Sequence, residues 1–285
     1  MSFLTMLGVV GLLSGFLPAL EGPDTSERAA AVDSLAALGG TGVAPLGEAL
    51  GEVGWRAREG ILDALARIGT ASLPVLMQTA RAHPRFDARR LAMLAMGCIG
   101  GEAARDSLLE LLDTQDRDMV LKALGEVGDP AVAPAVARFL KDPQINVRRR
   151  AVVALGKTGD VGYSDLMIDA LSDSHHSVRF AAAGALEALG SAAAGALLAR
   201  TDRLLGPARY LAIRTLGRLR YRPAADAFKR ALKASDWGVR AVGAEALGNL
   251  NDRACLEPLE EAVQRETYPF VRERIWAALR ALKAQ

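Results

Sequence analysis

Nine arginines recur at one place in a repeating pattern of residues. They are Arg28, Arg58, Arg89, Arg117, Arg148, Arg179, Arg209, Arg240 and Arg272, spaced about 30 residues apart. A guanidinium is a flat fork of donors that holds carboxylate or phosphate and stays charged when partly buried. Two chemistries follow. A row of arginines can present a basic ladder to phosphates, or each arginine can bond an acid of its own chain. Candidate acids stand in the preceding turns: Glu52, Asp142, Asp173 and Glu266 six residues before their arginine, and Asp24, Asp113 and Asp236 four before. Other reactive groups are sparse. The histidines are His83, His175 and His176, and two adjacent histidines in a turn rarely complete a metal site. There is no phosphate-binding glycine loop, no GxSxG and no cysteine–histidine arrangement. No catalytic residue, cofactor or metal is expected.

The elements that carry the arginines read as helix pairs. Seven residues after each arginine comes Leu35, Leu65, Met96, Leu124, Leu155, Leu186, Leu216, Leu247 or Leu279. Eleven after the first six comes Gly39, Gly69, Gly100, Gly128, Gly159 or Gly190. The fifth unit serves as template. Asp129–Pro130 opens a first helix, whose apolar face is Val132, Val136 and Phe139–Leu140. Asp142–Pro143 then makes a tight turn. A second helix runs from about residue 146 to 155, closed by Gly156 and Gly159, the latter suited to a left-handed cap. Small residues three and six after each arginine, such as Ala151 and Ala154, form the seam between layers. Such a pair cannot bury its apolar side alone and needs neighbours. Hydrophobic residues are 51% and aromatics only 5%, which favours close-packed helices. The expectation is an all-α solenoid of about nine two-helix repeats over residues 14–285, one continuous domain.

The motif VRxxAxxALGxxGD, preceded by a helix with proline in its first turn, resembles the HEAT repeat, and more narrowly the short HEAT-like repeat named after phycobilisome lyases. The resemblance covers residues 14–285 and implies that the all-α stack is a right-handed α-solenoid (superhelix). It implies a protein-binding scaffold in most members, bilin attachment or removal in a minority, and action on DNA in some helical-repeat relatives. HEAT repeats commonly join layers through an Asp–Arg pair, which implies that the nine arginines are a structural inter-repeat ladder. The His–Glu pairs of HEAT-type iron hydroxylases are missing. A bilin lyase-type enzyme subunit and a phosphate- or nucleic-acid-binding protein remain as alternatives.

Function then falls to what the repeats do not share. The resemblance places the second helices on the concave side. Positions one, five and nine after each arginine then point away from the core. The first two repeats offer Ala29, Asp33, Ala37 and Glu59, Asp63, Arg67. The fifth to seventh offer Arg149, Val153, Lys157, then Phe180, Gly184, Ala188, then Tyr210, Arg214, Arg218. Residues 200 to 240 hold eleven Lys or Arg against three Asp, in a chain of net charge +2. Arg149, Lys157, Phe180, Tyr210, Arg214 and Arg218 are therefore the expected partner-binding residues, for an acidic segment of another protein.

Two cysteines, Cys98 and Cys255, lie five repeats apart, too far for a disulfide, and fit a reducing, cytoplasmic compartment. Residues 1–20 carry no charge. They read as the first helix of the first repeat, with residues 1–13 as an apolar extension or its start. Membrane contact, partner contact and a signal sequence are the competing readings.

Overall fold

Residues 14–284 are described by a computed structural model, and every regular element in them is an α- or 3-10 helix. By its contacts the chain divides into two compact units, Met1–Ala135 and Val136–Gln285. In the first, second helices Thr25–Ala36, Trp55–Ile68, Phe86–Ile99 and Arg117–Val127 alternate with first helices at residues 14–21, Val43–Ala49, Leu73–Ala82 and Gly101–Leu109. In the second unit the second helices are Ile145–Thr158, His176–Leu189, Gly206–Arg218, Trp237–Asn249 and Pro269–Lys283. Their partners there are Ser164–Ala170, Ser191–Thr201, Ala225–Ala231 and Leu256–Arg265. Residues 16–20 fall in the first helix, with Leu20 buried; residues 1–13 lie outside the described residues. No single described helix is long and apolar enough to cross a membrane.

The second helices form because apolar residues recur at helical spacing on one face and the turns supply caps. Asp24 and Asp236 accept hydrogen bonds from the backbone N–H groups of Ser26 and Glu27, and of Gly238 and Val239. The leucine or methionine seven residues after each arginine is fully buried in every repeat. The glycine eleven residues after the arginine has positive φ in all six repeats that have one. Repeats seven and eight keep this left-handed closure with Arg220 (φ 50°) and Asn251 (φ 58°) in the same place. The backbone turn therefore persists where the residue type does not advertise it.

Seams between second helices rest on small residues, with one device absent from the sequence reading. Gly156 does not end its helix, which continues to Thr158 and closes at Gly159. A Cβ on Gly156 would stand 2.6 Å from the Cβ of Ala185 in the next repeat. Gly97 against Ala123, Gly217 against Ala246 and Gly248 against Ala278 repeat this arrangement. In each case the glycine eight residues after one arginine receives the alanine six residues after the next. Backbones approach where neither residue has bulk.

The arginines bridge two turns at once. Arg148 donates to the carbonyls of Asp142 and Pro143 in its own turn and, through Nε and a terminal nitrogen at 2.8 and 3.0 Å, to the carboxylate of Asp173 in the next. The Asp173 carbonyl accepts from Arg179, so one residue serves both layers. Arg240 repeats the pattern with the Ala234 and Ser235 carbonyls and a two-point bond to Glu266. In the first unit, Arg58, fully buried, holds the Leu50 and Val53 carbonyls and Asp87, and Arg89 holds the His83 carbonyl and Asp116. Arg28 takes the Leu20 and Gly22 carbonyls. Arg117 is half-buried and Arg272 exposed. At Arg58, Arg148 and Arg240 the register thus differs from a pairing with the acid of the own turn. The own turn offers carbonyls, which lie closer than its side chains, and Asp24 and Asp236 are occupied as helix caps. The acid comes from the following turn for Arg89, Arg148 and Arg240, and from the start of the next second helix, Asp87, for Arg58.

Burial pushes the Asp173 carboxyl up, but the bonds from Arg148 and the His175 N–H outweigh it and hold it below the usual carboxylate range. At Glu266 the bond from Arg240 dominates over burial, with the same net direction. A carboxyl with a lowered folded-state pKa stabilises the fold above its unfolded value and loses that contribution as pH falls through the folded one.

Two tests follow from these seams. Gly156→Ala should lower stability by about 1–3 kcal/mol through overpacking. Gly184→Ala, on a second helix where an added Cβ meets nothing within 4 Å, should raise it by about 1 kcal/mol. Denaturant titration compares them, and equal effects would refute the seam. Asp173→Asn should cost about 3 kcal/mol at neutral pH by leaving Arg148 unpaired. Its deficit against the wild type should shrink as pH drops below about 4; a deficit constant with pH would contradict the bridge.

Candidate functional site

One junction departs from the glycine–alanine seam that Gly156, Gly217 and Gly248 make in the second unit. Between the sixth and seventh repeats, the position eight residues after Arg179 holds Glu187 rather than glycine. A carboxylate stands where backbones elsewhere touch. Its Oε2 lies 3.1 Å from a terminal nitrogen of Arg218, while its buried Oε1 has no hydrogen-bond partner. Arg179 donates to the carbonyls of Asp173 and Ser174 in its own turn but makes no ion pair among the described residues. Arg209 has only a long contact, 3.6 Å, with Asp202, and its Nε is buried without an acceptor.

Three of the six expected partner-binding residues, Phe180, Arg214 and Arg218, gather at this junction. Phe180 stands on His176–Leu189 and is half exposed. Tyr210, Arg214 and Arg218 stand at intervals of four on Gly206–Arg218, which puts them along one face. The Arg214 guanidinium carbon lies 5.2 Å from the centre of the Phe180 ring, a cation–π contact. Arg214 has no ion pair or hydrogen bond among the described residues, and its Nε is buried without an acceptor. Arg218 is half-neutralised by Glu187. Gly184 is exposed with open space above it, so the cation–π pair borders a hollow.

Other expected residues do not join this cluster. Tyr210 lines a pocket of about 400 Å³ with Trp237 and Phe270, floored by Ala241 and Val242 and rimmed by Glu245 and Arg274. Trp237 stacks on Tyr268 at 5.2 Å and meets Phe270 edge-on at 5.7 Å. Arg149 is half-buried on Ile145–Thr158 and Lys157, on the same helix, is exposed and engaged. The positive charge of residues 200–240 is not gathered on the second-helix face. Arg200 pairs with Asp165 and Asp169 and Lys229 with Asp226, all on first helices, while Arg230 on a first helix pairs with Asp202 in the turn after Ser191–Thr201. In the first unit, Arg67 bonds both Asp33 and Asp63, two of the three acids on that face.

Sequence reasoning missed Glu187 and Phe270, and it left Trp237 out of the expected binding residues. Glu187 had a signal, because five other repeats place glycine at that position and this one does not. Trp237 and Phe270 lie three and two residues before their arginine, outside the positions read for the exposed face. Among the described residues no group of three His, Cys, Asp or Glu could hold a metal. His175 instead accepts from the Ser177 N–H at the start of its helix. Cys98 is exposed, Cys255 is buried, and burial pushes the Cys255 thiol up.

The sequence pattern of the family described as HEAT repeats matches residues 13–97, 73–144, 113–187, 136–203 and 206–280. No curated protein sequence matches significantly. The crystal structure of YibA from Escherichia coli aligns with a TM-score of 0.52 at 18% identity, over 93% of this chain and 100% of that one. Importin beta aligns with a TM-score of 0.57 at 15% identity, over 96% of this chain and 47% of that one. The CpcE–CpcF complex of phycocyanin lyase from Nostoc aligns with a TM-score of only 0.39 at 19% identity, over 95% of this chain and 94% of that one. At these identities the likeness concerns the fold. Helix pairs with buried leucines, left-handed closures and arginine bridges, matched by the family pattern over nearly the whole length, make this chain a member of the HEAT repeat family with an all-α solenoid fold.

Proposed function

We propose that the chain is a non-catalytic binding scaffold that takes an acidic segment of a partner protein on the second-helix face of residues 136–285. The observation that carries this reading is Arg214. Its guanidinium is fixed on the exposed Phe180 ring and meets no acid, while the neighbouring Arg218 shares Glu187. A cation held in place without an acceptor gains from a carboxylate that arrives from outside, and the ordering of its side chain has already been met by the ring. Phe180 supplies an apolar surface beside it, and the hollow above Gly184 leaves room for a chain to lie across. Arg149 adds a second cation without an ion pair or hydrogen bond among the described residues. Lys157 and Tyr210 contribute less to this reading, since one is engaged and the other belongs to the aromatic pocket of the following repeats.

Affinity purification with the wild type and with Arg214→Glu tests the assignment. Charge reversal should cut recovery of acidic partners at least tenfold, equivalent to about 1.4 kcal/mol, while leaving the circular dichroism and Tm of the protein unchanged. Equal recovery would remove the site. The same partners should elute from the wild type with rising salt.

A further inference from the structure

The ladder has a rung with its charge inverted. In the sixth and ninth repeats the residue six before the arginine is an acid, Asp173 or Glu266, and each holds the arginine of the preceding repeat at two points. In the seventh repeat that same position is Arg203. Its neighbour Asp202 faces away from the rung and bonds Arg230, with Arg209 at longer range. Arg179 therefore uses one terminal nitrogen for its own turn and has no carboxylate for the nitrogens that Arg148 and Arg240 employ. Arg179 and Arg203 line one open cavity of about 360 Å³, beside Leu205. Leu205 is 79% exposed, the most exposed large apolar residue among those described. The one acid in the lining, Asp173, is already held by Arg148.

Two arginines facing one cavity repel each other unless an anion lies between them. An unpartnered leucine next to them favours an occupant with an apolar side chain adjacent to its charge. We infer that this vacant rung is completed in trans by a carboxylate from the partner segment, an Asp or Glu flanked by an apolar residue, seated between Arg179 and Arg203 with its neighbour on Leu205. The inference rests on the scaffold reading and deepens it. It sets a second contact at the turn end of the same junction whose helix face carries Arg214. The partner thereby supplies the acid that every bridged layer draws from the repeat that follows it.

The test restores the rung in cis. Arg203→Asp returns an acid to the position and should pair with Arg179, raising Tm by about 2–4 °C. The probe is the blocked dipeptide N-acetyl-Glu-Leu-amide, read by shifts of the arginine side-chain Nε–H signals, with N-acetyl-Gln-Leu-amide as its neutral isostere. The wild type should bind the Glu peptide at least fivefold more tightly than the Gln peptide. Arg203→Asp should abolish that preference, and Arg203→Ala should weaken it without raising Tm. Equal binding of the two peptides by the wild type overturns the inference. So does an Arg203→Asp protein that keeps the preference or gains no stability. The two readings fail separately. Loss of the dipeptide preference with partner recovery still sensitive to Arg214→Glu removes the rung alone. A preserved preference with recovery indifferent to Arg214→Glu removes the helix-face site alone.

Discussion

The structure depends on a guanidinium that spans two turns. One edge of the arginine takes carbonyls left open where the first helix ends, and the other takes a carboxylate from the next repeat. The carbonyls need a donor because the last turn of a helix has no further N–H to offer them. The carboxylate needs a cation because it is drawn into a half-buried crevice. Arginine meets both needs with one side chain, since its donors point in fixed and different directions. Lysine, a point charge on a flexible stem, would satisfy one edge and leave the other. This explains why one residue type recurs at the ladder positions while the acids are either Asp or Glu and stand at varying distances from the next arginine.

Such bridges make stability a matter of neighbours. Each rung joins one repeat to the next and touches little else, so energy lost at one junction is not compounded along the stack. A junction can therefore depart from the pattern at a limited cost. The sixth-to-seventh junction departs in three ways together. Glu187 occupies the seam, Arg203 replaces the acid, and Leu205 is left in solvent. A single departure would be ordinary variation. Three at one junction, with Arg214 fixed on Phe180 beside them, describe a surface whose polar groups are oriented but incompletely matched, and a partner gains most on such a surface.

Much of the fold was legible because its causes are periodic. Buried leucines, caps and left-handed closures recur at fixed distances, and each recurrence reinforces the others. Gly156 was misread as a helix end because a glycine near a C-terminus has two uses, turning the chain or admitting a neighbour. The nearby Gly159 had the first role. The register of the ion pairs was hidden for a related reason. Sequence distance to an acid cannot distinguish the arginine before it from the arginine after it, and the choice depends on which turn edge faces inward. Within the candidate site, Phe180, Arg214 and Arg218 followed from helical spacing. That Arg218 is half-neutralised did not, because its partner Glu187 lies on another helix. Nor did Tyr210 separate from its neighbours by spacing alone; its ring belongs with Trp237 and Phe270, which precede their arginine and so lie at the helix entrance rather than along its face.

A repeat protein inverts the usual relation between regularity and role. In a single-copy domain an unusual residue has nothing to be compared with. Here each position has up to eight internal standards, so a substitution can be read against the physical requirement that the others meet. Arg203 is a common surface residue by composition. It becomes informative because Asp173 and Glu266, at the same position, each hold the arginine of the preceding repeat, and because Arg179 opposite it has kept the ladder arginine without a ladder acid. The requirement of the arginine for a carboxylate persists when the chain no longer provides one. A solenoid that withholds one rung leaves at that junction an anion site already shaped by the remaining rungs.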